Sequence, residues 1–197
     1  DGAGFALDQT QIIAKGLLPT GLDFGADGAL YSGDWIDGWS TQENGRIWKL
    51  DMPEGKNSAI RQQTKELIQA SFKEKEIAEL SDLLAHQDMR VRQKAQFELV
   101  KKGEEGYEVL LNTARTSDNQ LARVHSLWGI GQLSRKDKKK YAPALMEFLN
   151  DKDVEIIAQS VKMIGDVKFT PAVKAIVSQN LANHESPRVR LLATEAL

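Results

Sequence analysis

The spacing of apolar residues changes character partway along the chain. Up to about Leu50, apolar positions alternate with small or polar ones in short runs, broken by glycine-rich turns. From about Lys56 onward they recur at helical spacing, in a unit that returns about every 30 to 35 residues, the range of helical-pair solenoids. The pattern therefore predicts two parts, a strand segment over 1–53 and a helical array over 54–197.

In the strand segment, Phe5 and Leu7 alternate with small or polar neighbours, and Ile12 and Ile13 follow Asp8-Gln9-Thr10. This predicts two strands joined by a short turn. Leu22 and Phe24 would share one face of a further strand, with Leu30 placed after a turn at Gly25–Gly28. Asp27-Gly28 is a hairpin signal, because glycine accepts the positive φ that such turns require. Asp23 and Asp27 read as strand-end and turn residues. Gly45–Leu50 predicts another strand, with Arg46 and Ile47 on opposite faces, ended by Pro53, which cannot donate to a ladder.

In the helical part, Ile60, Thr64, Leu67, Ile68 and Phe72 fall on one stripe, and Ile77, Leu80 and Leu84 on the next. Four later helices share an alignable start: Asp88, Asp118, Asp151 and Ser186 each stand three residues before Val91, Leu121, Val154 and Val189. Four residues further on come Ala95, His125, Ala158 and Ala193, where a small residue would admit a neighbouring helix. The acidic or hydroxyl residue is the expected N-cap, with Pro187 at a first helical position and Thr170-Pro171 repeating that signal. Partner helices are expected over 77–84, 107–114, 141–149 and 171–181, with Gly103 and Gly165 as stops. This unit resembles the HEAT repeat, in about four pairs. Each pair leaves an apolar face for its neighbour, so the array stacks quasi-linearly.

Composition adds exclusions. A hydrophobic fraction of 41% and a charged fraction of 27% are ordinary for a globular chain. The net charge of −2 gives no electrostatic footprint for nucleic acid. No apolar run approaches the roughly 18 residues of a membrane span. No signal peptide is visible. With no Cys there is no disulfide, thiolate zinc site, cysteine nucleophile or covalent haem attachment within these 197 residues. The chain begins without Met inside a strand-like pattern and stops at Leu197 inside a helical one, so it reads as a segment cut from a larger protein.

The run from Leu18 to Trp35, followed by Gly45-Arg46-Ile47-Trp48, resembles a blade of the six-bladed propellers of the quinoprotein glucose/sorbosone dehydrogenase type. Ser32-Gly33-Asp34-Trp35-Ile36-Asp37-Gly38-Trp39 with the helical repeats behind it resembles the large bacterial membrane-bound dehydrogenases. In those proteins a propeller is followed by helical repeats and a cytochrome c domain with a Cys-x-x-Cys-His site. The resemblance implies a fold of mixed, mainly α class: the end of a β-propeller, then a HEAT-like α-solenoid. It also implies a periplasmic or extracellular parent, with pyrroloquinoline quinone (PQQ) and haem c as the parent's cofactors and none in this segment. On that reading the segment is a non-catalytic scaffold whose partner is the rest of the parent chain. The alternative is a protein-interaction module with no redox role. Fold alone does not decide between them.

Asp34 and Asp37, three apart on a glycine-containing loop, could offer oxygen ligands to Ca²⁺. Trp35 and Trp39 could stack on a sugar or quinone. The competing reading has both Trp residues as plugs and both Asp residues as Asx-turn formers. Arg90, Arg92, Arg188 and Arg190 recur beside repeat starts, either as a ladder to acidic residues of a neighbouring repeat or as a partner surface. His86, His125 and His184 lie in three different repeats without the i, i+4 spacing of a ligand pair, so no metal is expected. His125 reads as a packed histidine beside a buried Trp128. Lys136, Lys138, Lys139 and Lys140 form a basic run without interleaved aromatics, which reads as a solvated loop. No Ser-His-Asp set, phosphate-binding loop or catalytic carboxylate pair is present, and Gly129-Ile130-Gly131 is too short for a nucleotide fingerprint.

Overall fold

The computed structural model describes residues 2, 4–36 and 43–197. They form two compact units, one over Leu7–Ser71 and one built on Phe72–Leu197.

The first unit is a small antiparallel sheet with one helix. Strands β1 (Pro19–Phe24), β2 (Leu30–Asp34) and β3 (Arg46–Leu50) lie in the order β1-β2-β3. The register sets Leu22 opposite Ser32 and Ser32 opposite Trp48, with Phe24, Leu30 and Leu50 in the neighbouring row. The Asp27-Gly28 hairpin forms as its residues dictate: Gly28 takes φ 75° and its N–H donates to the Gly25 carbonyl at 2.9 Å. Helix α1 (Ala59–Gln69) sends Arg61 back to the Asp27 carbonyl and to Asp51, so it belongs to the strand unit. That interaction carries this unit to Ser71, beyond the Pro53 boundary drawn from the pattern. The expected strands around Phe5–Leu7 and Ile12–Ile13 do not form. Residues 5–15 have no regular structure, and Phe5, Leu7, Ile12 and Ile13 are exposed. Alternation over two or three residues cannot hold a strand without a partner ladder.

The second unit is a double row of helices. Its elements are α2 (Ile77–Leu83), α3 (Met89–Lys101), α4 (Glu104–Thr116), α5 (Gln120–Lys136), the short α6 (Lys138–Tyr141), a 3-10 helix at Ala142–Asn150, α7 (Val154–Val167), α8 (Thr170–Ser178), a 3-10 turn at Leu181–Asn183 and α9 (Pro187–Ala196). One row stacks α3, α5, α7 and α9 side by side. The other carries α2, α4, Ala142–Asn150 and α8, each leading into a member of the first row. Leu80, Leu99, Leu110, Leu127, Ile130, Leu145, Ile156, Ile164 and Ile176 are fully buried between the rows.

Two of the expected caps shift. Asp88 and Ser186 are N-caps as expected, but Asn119 replaces Asp118 and Asp153 replaces Asp151. The reason is a turn that recurs at every repeat start. The residue two before each cap accepts the cap's own N–H: His86 Nδ1 from Asp88, Ser117 Oγ from Asn119, Asp151 Oδ1 from Asp153 and His184 Nδ1 from Ser186, at 2.9–3.1 Å. Asp151 is thus the turn closer, one step earlier than the cap.

Gly103 does separate α3 from α4, with φ 64°. Gly165 does not stop α7, which runs on to Val167 and closes on Lys168 in the left-handed region at φ 54°. A Cβ on Gly165 would stand 2.8 Å from the Ala196 Cβ, so this glycine serves the close approach of α9. The partner helix expected over 141–149 is instead 3-10, with Pro143 at its start lacking the N–H donor.

Candidate functional site

The polar residues that the helical repeat buries run across the α3–α5–α7–α9 row as two chains of side-chain hydrogen bonds. On α3, Gln96 Oε1 lies 2.7 Å from His125 Nδ1 of α5, while Gln96 Nε2 donates to Gln132 Oε1 at 3.2 Å. Further along, Trp128 Nε1 of α5 donates to Gln159 Oε1 of α7 at 2.8 Å. Gln159 Nε2 in turn donates to Glu155, which receives Arg188 of α9 at 3.0 Å. Gln159–Glu155 lies within α7, and every other link joins one helix of the row to the next, so the chains fix the lateral register of the row. A buried amide left unpaired would cost about 1–3 kcal/mol, which makes the partners mutually dependent.

His125 is 2% exposed. Burial, with the Arg92 charge nearby, pushes its pKa down to about 4, so it is neutral at pH 7. Its ring meets Trp128 edge-on at 4.9 Å between centroids. Trp128 itself is only half-buried. The expectation of a wholly buried Trp128 is therefore corrected. The large side chains fully buried on α5 are Leu127, Ile130 and Leu133.

Trp128 stands instead in a pocket of about 250 Å³ that opens between α3, α5 and α7. Gln93, Gln96 and Phe97 line it from α3, Gln132 and Arg135 from α5, and Lys162 and Met163 from α7. Gly131 admits the Met163 side chain close to α5: a Cβ there would meet the Met163 sulfur at 2.6 Å. Phe97 is 41% exposed, an aromatic held at the rim. Arg135 and Lys162 share one carboxylate, Asp166, at 3.8 Å and 2.8 Å.

The four arginines read from the sequence split by role. Arg188 bridges to an acidic residue of another repeat, Glu155. Arg90 pairs with Asp88, the cap of its own helix. Arg92 and Arg190 donate to carbonyls of the preceding turn, Arg92 to His86 and Gln87 and Arg190 to His184 and Glu185. These repeat one design in His86-Gln87-Asp88-Met89-Arg90-Val91-Arg92 and His184-Glu185-Ser186-Pro187-Arg188-Val189-Arg190. Sequence reasoning missed Arg123, which holds the same offset from its cap as Arg92. It reaches the Ala114 carbonyl at 2.7 Å and Asp151 of the next repeat. That offset was the available signal.

In the strand unit Asp34 is buried. Its Oδ1 accepts from the backbone N–H groups of Leu18 and Ile36 at 3.0 and 3.1 Å, and its Oδ2 from Trp48 Nε1 at 2.8 Å. Trp48 first, then the backbone donors, hold its carboxyl below the usual range. Both oxygens are thus occupied by protein donors. Trp35 is 44% exposed. Asp37, Gly38 and Trp39 lie outside the described residues. Among the described residues no group of three or more acidic or histidine side chains is placed to hold a metal ion. Among them, too, no helix is long and apolar enough to cross a membrane.

Comparison with known proteins adds one finding. No curated protein matches the chain. Residues 107–197 match the family model for HEAT repeats. The matched stretch begins within α4, yet α2–α3 before it carries the same turn-closing histidine and the same carbonyl-bound arginine as the last repeat. The helical repeats of this chain are HEAT-like.

Proposed function

We propose that this chain is a non-catalytic protein-interaction and scaffold module, and that a partner protein seats on the pocket between α3, α5 and α7. The observation that carries this reading is the half-exposed Phe97 beside a half-buried Trp128, in a pocket whose walls are held by inter-repeat hydrogen bonds. A partner can use aromatic side chains held in fixed positions as anchors at low entropic cost. The likeness of residues 107–197 to HEAT repeats supports an interaction role. Selection of a random peptide library on the full 197-residue chain tests it. Peptides should be enriched, and Phe97→Ala, at an exposed site, should release them. An enriched set indifferent to Phe97→Ala and Gln93→Ala would sink the reading.

A scaffold role inside a larger exported oxidoreductase remains a second reading, favoured by the antiparallel hairpin that Phe24-Gly25-Ala26-Asp27-Gly28 forms in the blade-like stretch. Its redox chemistry, with PQQ or haem c, would then reside elsewhere in the parent. A full-length sequence carrying Cys-x-x-Cys-His after the repeats would support it, and one lacking that site would remove the haem part.

A further inference from the structure

We infer that the pocket between α3, α5 and α7 takes an acidic peptide segment, one that places an apolar side chain beside an Asp or Glu. The inference rests on the interaction reading above and names the partner's chemistry. The size of the pocket is the first argument. At about 250 Å³ it lies just below the range of pockets that enclose whole small molecules, and so suits the insertion of an individual side chain. The apolar surface for that side chain comes from Trp128, Met163 and Phe97.

Charge is the second argument. The charged residues lining the pocket are Arg135 and Lys162, and no carboxylate lines it. Both cations lean on one acid, Asp166, and they remain 61% and 44% exposed. One positive charge at the rim is therefore uncompensated. An incoming carboxylate would meet it, with Arg135 able to offer a two-pronged contact. The side-chain amide of Gln93 on the opposite wall has no hydrogen-bond partner among the described residues, which leaves it for a peptide backbone group. Nucleic acid is a poorer fit, because two cations on a chain of net charge −2 neutralise little backbone.

The test is fluorescence anisotropy on the full chain with three labelled probes: a capped Ser-Glu-Glu-Phe-Glu-Ser peptide, its Ser-Lys-Lys-Phe-Lys-Ser counterpart, and an oligothymidylate. The acidic peptide should bind at least about tenfold more tightly than the basic one, and more weakly as salt rises. Arg135→Glu and Lys162→Glu, both at exposed positions, should reverse that preference while the far-ultraviolet spectrum stays helical. Equal binding of both peptides, released by Phe97→Ala, would overturn the acidic preference and leave the interaction reading standing. Binding of the oligothymidylate in preference to both peptides would overturn the inference in favour of a nucleic-acid ligand. If neither these peptides nor any library peptide binds, both readings fall together.

Discussion

Arg123 of α5 forms a two-pronged ion pair with Asp151, the turn closer of the next repeat, through Nη1 at 3.2 Å and Nη2 at 2.5 Å. Both side chains are largely buried, at 8% and 14% exposure. Burial raises the Asp151 pKa, but the Arg123 hydrogen bonds and the Asp153 N–H outweigh it and hold the carboxyl below its usual range. Arg123→Ala would leave that carboxylate buried and unpaired, a loss of about 3–5 kcal/mol in urea unfolding at pH 7. A folded-state pKa that is depressed gives stability present above the unfolded value and lost as pH falls through the folded one. The deficit of the variant should therefore shrink as pH falls from the ordinary carboxylate range toward the depressed folded value of Asp151. A deficit that stays constant with pH would show that the pair is not its source.

His125 gives a second pH signature. Its pKa falls from 6.5 to about 4 on folding. The unfolded chain therefore takes up the proton first. The stabilisation is complete above pH 6.5 and declines toward pH 4, by about 3 kcal/mol in total. His125→Asn keeps a donor near Gln96 and removes the titration. Its stability should decline less than that of the wild type across that window, read from urea midpoints at half-unit pH steps.

Leu127 and Trp128 are neighbours with opposite expected behaviour. Leu127 is wholly buried, so Leu127→Ala should cost about 2–5 kcal/mol in helical unfolding. Trp128 is half-buried, so Trp128→Ala should cost less, about 1–2 kcal/mol. It should also abolish binding of the library peptides. A larger stability loss at Trp128 than at Leu127 would place it in the core after all.

Gly106 should resist substitution where an ordinary helical glycine gains from it. Replacing glycine by alanine inside a helix usually adds about 1 kcal/mol of stability. A Cβ on Gly106 would lie 1.8 Å from the Leu99 carbonyl oxygen, which is backbone and cannot step aside cheaply. Gly106→Ala should destabilise by about 1–3 kcal/mol. Gly131→Ala presses only on the flexible Met163 side chain and should stay within about 1 kcal/mol. Thermal midpoints of the two variants settle the comparison.

Asp34→Ala should strip the strand unit of the acceptor for the Leu18 and Ile36 amides and the Trp48 indole. Donors left unpaired cost about 1–3 kcal/mol each, so amide exchange in β2 and β3 should accelerate strongly. Asp34→Asn keeps an acceptor at Oδ1 and should lose less. Unchanged exchange in both variants would mean that the sheet does not depend on this carboxyl.

The sequence by itself determined what is local. Helical spacing of apolar residues located the repeats, because a 3.6-residue period admits few other backbones. Asp27-Gly28 determined its hairpin, since the turn needs a positive φ that glycine supplies without cost. The cap residues marked helix starts to within two positions. They pointed to Asp151 where Asp153 is the cap, because both can accept an N–H and only the turn closed by Asp151 separates them. Everything that joins residues about thirty apart was decided by the tertiary structure. That Trp128 turns from the core toward Gln159, that Arg123 finds Asp151, and that Phe97, Trp128 and Lys162 share one pocket follow from the stacking of α3, α5 and α7. A periodic pattern gives each helix its buried face. The side chains at the edges of that face depend on how far and at what angle the next helix approaches.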